Sequence, residues 1–281
     1  MKTYFVSGAT GTVGTEVVRA LLAGGYAVKA ASRHPQKSIE EFGDAVEAVH
    51  FDFSDESTFS AADGTDGVFV LGPPMVLDLF NLLTPFIDYV TGKSQRIVYL
   101  SANGMDDLKE LPFHAQAEQK LKASDADWRI VRPGFFMQNL GNYERENIEQ
   151  RKMVFVPAGD EKTAFVSTRD VGNSVAKLLT DDACRHQTFT LTGPDAMNYD
   201  QVAKLLSDVL GEEIVYPNPD EATYRHVLSQ AGAPDFVADY MIPVYGLIKD
   251  GKTREVTDDV EKLTGQKPET LREVIARDFT K

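Results

Sequence analysis

The chain has 281 residues and 42% hydrophobic content, enough to bury a substantial core in one large α/β domain or in one domain with an appendage. Its 43 acidic and 29 basic side chains give a formal net charge of −14, which disfavours nucleic-acid and membrane partners. The apolar run 68–71 is cut by Gly72-Pro73-Pro74, far short of the roughly 20 residues that a membrane span needs. No export signal is expected, because residues 2–6 lead directly into a glycine-rich turn. No internal disulfide is expected, because Cys184 is the single cysteine. We therefore expect a cytoplasmic protein.

Short β-rich runs alternate with segments of helical periodicity through the first half of the chain. In the first of these segments Val13, Val17, Val18 and Leu21 recur at helical spacing, and Gly24-Gly25 marks its end. This alternation predicts an α/β fold of the Rossmann type, a doubly wound parallel sheet with ligand loops at the carboxyl ends of the strands. The predicted strands are residues 3–7, 27–32, 47–52, 67–71, 96–101 and 128–132.

The second half is less regular. Residues 164–166 with 167–179, and residues 188–191 with 198–210, are predicted strand and helix pairs that return to the same sheet. We therefore expect a dinucleotide-binding domain over residues 1–155 and a substrate-side portion over 156–281. The latter contributes some strands and helices to the sheet and ends in a smaller helix-rich C-terminal subdomain. Its tail is rich in aromatic and Met residues, namely Tyr224, Phe236, Tyr240, Met241 and Tyr245.

A glycine-rich segment, Gly8-Ala9-Thr10-Gly11-Thr12-Val13-Gly14, follows the first predicted strand and opens the first predicted helix. In this context Gly8 would allow a tight turn, Gly11 would let the backbone approach a pyrophosphate, and Gly14 would let helix and strand pack closely. The first-turn amides of the helix would face the phosphates. We expect Gly8, Thr10, Gly11, Thr12, Val13 and Gly14 to bind a dinucleotide; the alternative is a glycine-rich turn without a ligand.

The end of the second predicted strand favours NADP(H) over NAD(H). NAD sites usually carry an acidic residue about 20 positions after the glycine motif, and none stands there. Instead Ser32, Arg33 and Lys37 offer a hydroxyl and two cations that could hold a 2′-phosphate. The alternative is two solvated loop cations.

Two further strand ends are candidates for cofactor contacts on topology alone. Asp52-Phe53 could flank the adenine, while Leu71, Gly72 and Pro73 could line the nicotinamide ribose. An aspartate at the end of a strand equally often caps a turn, so both interpretations of Asp52 stay open.

Several segments together resemble the NmrA-like atypical short-chain dehydrogenases, with the closer likeness to the branch of triphenylmethane reductase and type-2 NAD(P)H:quinone oxidoreductase. The likeness covers most of the chain and implies an NAD(P)H-dependent reductase. The segments that carry it are Gly8 to Gly14, Arg33, residues 97–101, Arg132-Pro133-Gly134-Phe135-Phe136-Met137-Gln138-Asn139, residues 165–171, Thr190-Leu191-Thr192-Gly193 and Thr257-Asp258-Asp259-Val260.

The Tyr-x-x-x-Lys pair of ordinary short-chain dehydrogenases is absent from its place. Measured from Pro133, Glu110 stands at the tyrosine position and His114 at the lysine position. The resemblance implies that His114 hydrogen-bonds the nicotinamide ribose; alternatively it merely begins a surface helix. Its near-neutral intrinsic pKa also makes it a candidate proton donor. Two chance matches, Tyr89 to Lys93 and Tyr245 to Lys249, fall in the wrong parts of the predicted fold.

An enzyme without a dedicated acid suits acceptors that take hydride directly, such as quinones, iminium ions or triarylmethyl cations. The small-molecule substrate is thus expected to be aromatic or conjugated. Pro133 and Phe135 are predicted to wall the nicotinamide, and at least one side chain of this segment is expected to be core packing, with Phe136 the least favoured substrate contact. The predicted substrate residues are Phe136, Met137, Asn139, Tyr143, Tyr240 and Tyr245.

Two other function classes compete with the reductase. A non-catalytic NADP(H)-sensing regulator of the NmrA type would use the same cofactor site to bind a protein partner. A sugar-nucleotide epimerase or dehydratase is disfavoured because it normally depends on the missing tyrosine. No metal site is expected, and the chain is expected to be a monomer or a homodimer.

Overall fold

The computed structural model describes residues 1–93, 95–105, 109 and 111–280. Within these ranges a seven-stranded sheet has the order β3-β2-β1-β4-β5-β6-β9, and each neighbouring pair is parallel. This confirms the predicted Rossmann-type sheet. The strands in chain order are β1 Thr3–Ser7, β2 Ala27–Ser32, β3 Glu47–His50, β4 Gly67–Val70, β5 Arg96–Leu100, β6 Asp127–Pro133, β7 Phe135–Phe136, β8 Thr163–Val166, β9 Gln187–Leu191 and β10 Ala196–Met197.

Helices connect the strands and form the C-terminal part of the chain. They are α1 Thr12–Ala23, α2 Pro35–Phe42, α3 Leu79–Thr91, α4 Phe113–Lys122, α5 Asn139–Asn142, α6 Arg145–Arg151, α7 Thr168–Thr180, α8 Tyr199–Leu210, α9 Glu221–Gln230, α10 Asp235–Lys249, α11 Asp259–Thr264 and α12 Leu271–Phe279. Short 3₁₀ turns lie at Gly43–Ala45, Glu56–Ala62 and Asp182–Cys184. Among the described residues no helix is long and apolar enough to cross a membrane.

The sheet is buried on both faces because its strands alternate side chains between two cores. In β1, Phe5 packs into the core formed with α3 and α4, whereas Tyr4 and Val6 pack into the core formed with α1 and α7. Burying one such side chain contributes about 1.5–3 kcal/mol. Helix α1 turns its predicted apolar face, including Val17 and Leu21, into the second core and ends at Gly24. The sheet is thus held rigidly between two helical layers.

The return of residues 164–166 to the main sheet was a wrong prediction. Strand β8 instead pairs parallel with β7 and antiparallel with β10 in a separate three-stranded sheet of the described residues. The reason lies at Gly134, where an added Cβ would stand 2.1 Å from the carbonyl oxygen of Ala164. The bare glycine backbone lets β8 cross closely after the end of β6, while β9 takes the place beside β6.

A third core lies under the C-terminal helices. Side chains from α8, α9, α10 and α12 pack with the segment that follows β6, including Leu140 and Ile148. The predicted helix-rich tail is present, since α9 to α12 follow one another from Glu221 onward. Helix α10 also reaches the α3 and α4 core through Leu247, so it lies at the carboxyl edge of the main sheet.

Candidate active site

The glycine loop joins β1 to α1 in a tight turn. Gly8 has a φ of +62°, and the Gly11 N–H donates to the Gly8 carbonyl at 2.9 Å. A Cβ at Gly14 would stand 2.0 Å from the same carbonyl oxygen, so only glycine allows this contact between helix and loop. Gly11 caps α1 without a side-chain acceptor, which leaves the first-turn N–H groups available for an anion. Thr10, Gly11 and Thr12 line a cavity of about 480 Å³.

Ser7 links the ends of two strands beneath this loop. Its buried hydroxyl accepts from the Leu71 N–H at 2.8 Å and donates to the Phe69 carbonyl oxygen at 3.0 Å. The bond fixes Leu71, whose side chain would lie 3.2 Å from a Cβ at Gly8. Gly72 and Pro73 follow, half-buried, at the carboxyl edge of the sheet. The sequence analysis missed Ser7, although a serine directly before the first glycine was a visible signal.

At the end of β2 the predicted phosphate-binding cations are exposed. Arg33 and Lys37 are open to solvent, and within the described part of the chain neither has an ion-pair partner. Ser32 is half-buried, and its hydroxyl accepts from the His34 N–H at 3.0 Å. This edge therefore presents two unneutralised positive charges.

Asp52 caps a turn in this structure. Its carboxylate accepts from the N–H and the hydroxyl of Ser54 at 2.9 and 2.7 Å. These bonds, with a smaller contribution from the Arg33 charge, lower the pKa of Asp52. Phe53 packs edge-to-face on Phe51, with ring centroids 4.8 Å apart, and keeps part of its surface exposed. The turn role of Asp52 is thus visible, and its charge also lies near Arg33.

His114, in the first turn of α4, is packed against the sheet. Its Nδ1 lies 2.7 Å from Oη of Tyr99, which is fully buried (0% exposed) in β5. Burial lowers the pKa of His114 to about 4, although the charge of Glu118 acts in the opposite direction. His114 is therefore neutral near pH 7, and the residue as a whole is half-buried. Glu110, the residue at the other position of the missing pair, lies outside the described residues.

Glu118, one helical turn beyond His114, holds β5, β6 and α4 together. It is 3% exposed and accepts from Ser101 at 2.7 Å, from Lys122 at 2.8 Å and from both Nε and Nη2 of Arg132 at 2.8 and 2.6 Å. Burial by itself raises the pKa of Glu118, but these hydrogen bonds outweigh it and bring the pKa to about 2. The carboxylate is thus ionised at neutral pH. The sequence analysis missed Glu118, because its partners Ser101 and Arg132 lie outside α4.

The segment after β6 sends its side chains in different directions. Phe135 stacks on Tyr245 with ring centroids 6.0 Å apart, whereas Phe136 packs against the core of α1 and α7. Pro133 is buried as the last residue of β6. Met137, a predicted substrate residue, is 2% exposed and packs in the C-terminal core. Tyr245 is likewise enclosed by other tyrosines there.

Aromatic side chains from two helices meet beside His114. Tyr240 of α10 stacks on Phe113 of α4, with ring centroids 6.2 Å apart and planes 14° apart. Burial raises the pKa of Tyr240 to about 12, and the nearby Tyr143 contributes. Tyr143 is 51% exposed, while Asn139 is half-buried at the start of α5. The structure thus places Tyr240 against Phe113, whose ring contacts His114, and leaves Met137 and Tyr245 in the C-terminal core.

The residues of the two chance Tyr-x-x-x-Lys matches have other partners. Tyr89 donates to Asp63 at 2.8 Å and Lys93 pairs with the same carboxylate at 3.2 Å, at the end of α3 that precedes β5. In α10, Lys249 pairs with Glu221. Within the described ranges, no group of three or more His, Cys, Asp or Glu residues is placed to hold a metal ion.

The sequence matches a known protein family. Residues 8–182 match the NAD(P)H-binding family, which spans more than half of the chain. An NAD(P)H azoreductase from Xenophilus azovorans is 29% identical over 275 residues, which cover 95% of this chain and 95% of that protein. An agroclavine dehydrogenase from Claviceps purpurea is 30% identical over 230 residues, which cover 78% and 79% of the two chains. One relative is named as a reductase and the other as a dehydrogenase, in agreement with the predicted resemblance.

Solved structures show the same fold at lower identity. An NADPH-dependent quinone oxidoreductase from Escherichia coli in complex with NADPH superposes with a TM-score of 0.87 at 23% identity, covering 99% of this chain and 100% of that one. The triphenylmethane reductase of Citrobacter sp. in complex with NADP(H) gives 0.85 at 19% identity over 99% and 100%. The negative transcriptional regulator NmrA in complex with NADP gives 0.77 at 15% identity over 99% and 95%. The predicted likeness to the NmrA-like atypical short-chain dehydrogenases is confirmed, and the chain belongs to the NAD(P)H-binding family.

Proposed function

We propose that this protein is an NADPH-dependent reductase that transfers hydride to an electrophilic conjugated or aromatic acceptor without a Tyr-x-x-x-Lys pair. The observation that carries the proposal is the neutral His114 at the position of the missing lysine, next to the stacked Phe113 and Tyr240. Such a site offers a flat acceptor an aromatic surface and offers no strong acid. Quinones, iminium ions, triarylmethane dyes and, from the named activity of a relative, azo dyes fit this description.

The preference for NADPH over NADH rests on the charges at the end of β2. Arg33 and Lys37 are exposed and have no ion-pair partner in the described ranges, so a 2′-phosphate would meet two cations whose charge is not already neutralised. An NAD-type ribose contact would need a carboxylate there instead. Asp52 stands nearby, but its Oδ1 already accepts two hydrogen bonds from Ser54 in a turn.

The chain's own residues have separable roles in this proposal. Bound NADPH would supply the hydride. The first-turn amides of α1, with Thr10 and Thr12, hold the pyrophosphate, and Leu71 to Pro73 lie along the sheet edge that leads towards His114. Tyr240 and Tyr143 orient the acceptor and exclude water from it, so the protein's main contribution is proximity and orientation. Solvent completes the protonation of the product.

The test is NADPH consumption by the purified protein against a panel of quinones, azo dyes and triphenylmethane dyes, with NADH in parallel. Turnover with at least one acceptor class, faster with NADPH, is the expected result. The surface variant Tyr89→Phe serves as a control and keeps wild-type rates. Tight NADPH binding by calorimetry without turnover on any acceptor would overturn the reductase and favour the NADP(H)-sensing regulator.

A further inference from the structure

Tyr99 is a buried polar residue that the proposed function does not yet use. It is the penultimate residue of β5, its side chain is fully buried, and its hydroxyl lies 2.7 Å from Nδ1 of His114. Within the described part of the chain this is the one hydrogen-bond partner of the Tyr99 hydroxyl. The pair therefore connects the interior of the sheet to the residue at the edge of the proposed cleft.

Which of the two groups donates this hydrogen bond follows from the fact that the Tyr99 hydroxyl has one partner among the described residues. A phenol carries one proton, and a buried donor that finds no acceptor is destabilising. If Nδ1 of His114 carried the ring proton, it would donate to Tyr99 and leave the phenolic proton without an acceptor. The arrangement that satisfies both groups has Tyr99 donating to an unprotonated Nδ1, which places the ring proton on Nε2.

The charge states of the two groups agree with this assignment. Burial, with the nearby charge of Glu118, raises the pKa of Tyr99, so the phenol keeps its proton at neutral pH. Burial lowers the pKa of His114 to about 4, so the imidazole carries a single proton. The Nε2 atom has no hydrogen-bond partner among the described residues, so its proton is left for a ligand.

We propose that Tyr99 is a positioning residue that fixes His114 as the Nε2–H tautomer, so that His114 presents a neutral hydrogen-bond donor to an oxygen acceptor in the cleft. The acceptor is an uncharged oxygen, either of the nicotinamide ribose or of a carbonyl substrate. The role of His114 as a donor to this oxygen rests on the proposed function, whereas the tautomer itself can be measured without turnover. A neutral donor binds an uncharged oxygen without introducing a buried positive charge.

The direct test is the imidazole ¹⁵N spectrum of the wild-type protein at neutral pH, with His114 assigned by its loss in His114→Gln. The expected pattern is an Nε2–H tautomer with an unprotonated Nδ1. Tyr99→Phe keeps the ring in the core, and in this variant His114 should lose the single tautomer. Tyr89→Phe is the control: it removes a surface hydroxyl bonded to Asp63 and should leave the tautomer of His114 unchanged. An Nδ1–H tautomer in the wild type, or an unchanged one in Tyr99→Phe, overturns the proposal. The wild-type spectrum decides even if Tyr99→Phe folds poorly.

A second test separates positioning from structural damage and identifies the acceptor oxygen. Tyr99→Phe is expected to weaken NADPH binding, or to raise KM for a quinone, by about threefold to tenfold, the effect of one impaired hydrogen bond. The first outcome assigns the oxygen to the cofactor and the second to the substrate. The double variant with His114→Gln should lose no more than His114→Gln alone, and additive losses contradict positioning through His114. Absence of turnover in every protein would sink the proposed function while the ¹⁵N spectrum still decides the tautomer.

Discussion

The charge of Arg33 acts on Asp52 across the ends of β2 and β3, where it contributes to the lowered pKa of that carboxyl group. The larger contributions come from Ser54, so Asp52 does not neutralise Arg33 through an ion pair. A cation held near a carboxylate that is already hydrogen-bonded elsewhere remains available to an added phosphate. The proposed preference for NADPH therefore depends chiefly on Arg33.

Arg33→Ala should therefore weaken NADPH binding much more than NADH binding. Loss of a charge-assisted hydrogen bond costs about 1.5–3 kcal/mol, which corresponds to roughly a tenfold to hundredfold increase in the Kd for NADPH. Calorimetric titration with both cofactors measures the difference. Arg151→Ala, which removes a surface arginine paired with Glu146, is the matched control. Equal losses for NADPH and NADH would refute the assignment of the 2′-phosphate.

Gly14→Ala should both destabilise the protein and abolish cofactor binding. The new Cβ would stand 2.0 Å from the Gly8 carbonyl, so α1 has to move away from the loop. Overpacking of this kind costs about 1–3 kcal/mol, measurable as a lower midpoint in urea unfolding. Gly246→Ala is the matched control, because its Cβ meets nothing within 4 Å in α10. That substitution is expected to stabilise by about 0.5–1 kcal/mol. Wild-type cofactor affinity in Gly14→Ala would show that the pyrophosphate lies elsewhere.

The pKa of His114 predicts a defined dependence of stability on pH. The pKa is lowered to about 4 in the folded protein, so between that value and the unfolded value of about 6.5 the unfolded chain binds more protons. The contribution of His114 to the free energy of unfolding should thus fall as the pH drops from about 6.5 to about 4, and it should stay constant above that range. Urea titrations of the wild type against His114→Gln across this range isolate the effect. A difference that does not vary with pH contradicts the burial of a neutral His114.

Asp170→Asn should stabilise the protein at neutral pH. Burial is the largest cause that raises the pKa of Asp170 to about 6, and the charge of Glu269 adds to it, while the Glu269 N–H bond lowers it. The folded state therefore binds more protons than the unfolded chain between about pH 4 and 6, and the free energy of unfolding falls as the pH rises through that window. Asparagine keeps the acceptor oxygen for the Glu269 N–H and removes the buried charge.

Asp170→Asn should raise the free energy of unfolding by about 1–3 kcal/mol near pH 8. The gain should vanish near pH 3.5, where the aspartic acid of the folded wild type is as uncharged as the asparagine of the variant. Asp200→Asn, in an exposed pair with Lys204, is the control and should change stability by less than about 1 kcal/mol. If Asp170→Asn is destabilising at both pH values, the hydrogen bonds of the Asp170 carboxylate stabilise the fold by more than the burial of its charge destabilises it.

The sequence predicted the first half of the fold well because its strands are buried on both faces and are bounded by glycine or loop residues. The bounds of β1 and β2 match the predicted 3–7 and 27–32. The placement of β8 failed because an apolar run does not say which sheet it joins, and the crossing depends on the backbone approach at Gly134.

The candidate site was predictable where function follows a local motif, and less so where it depends on long-range contacts. The glycine loop and Arg33 follow from local sequence. The bond from Tyr99 to His114 and the carboxylate of Glu118 join residues on different elements, so no local pattern reveals them. Met137 and Tyr245 were expected in the cleft because aromatic and sulfur side chains suit a flat ligand, but the same side chains also fill cores.

Hydride transfer from NADPH to an electrophilic acceptor can be followed with NADPH deuterated at the transferring position of nicotinamide C4. With the acceptor that the panel identifies, NADP⁺ should form without the deuterium, and the deuterated cofactor should be oxidised more slowly than ordinary NADPH. Binding of the deuterated cofactor with no loss of deuterium, for every acceptor class, would contradict the reductase and leave a protein that binds NADPH without using it.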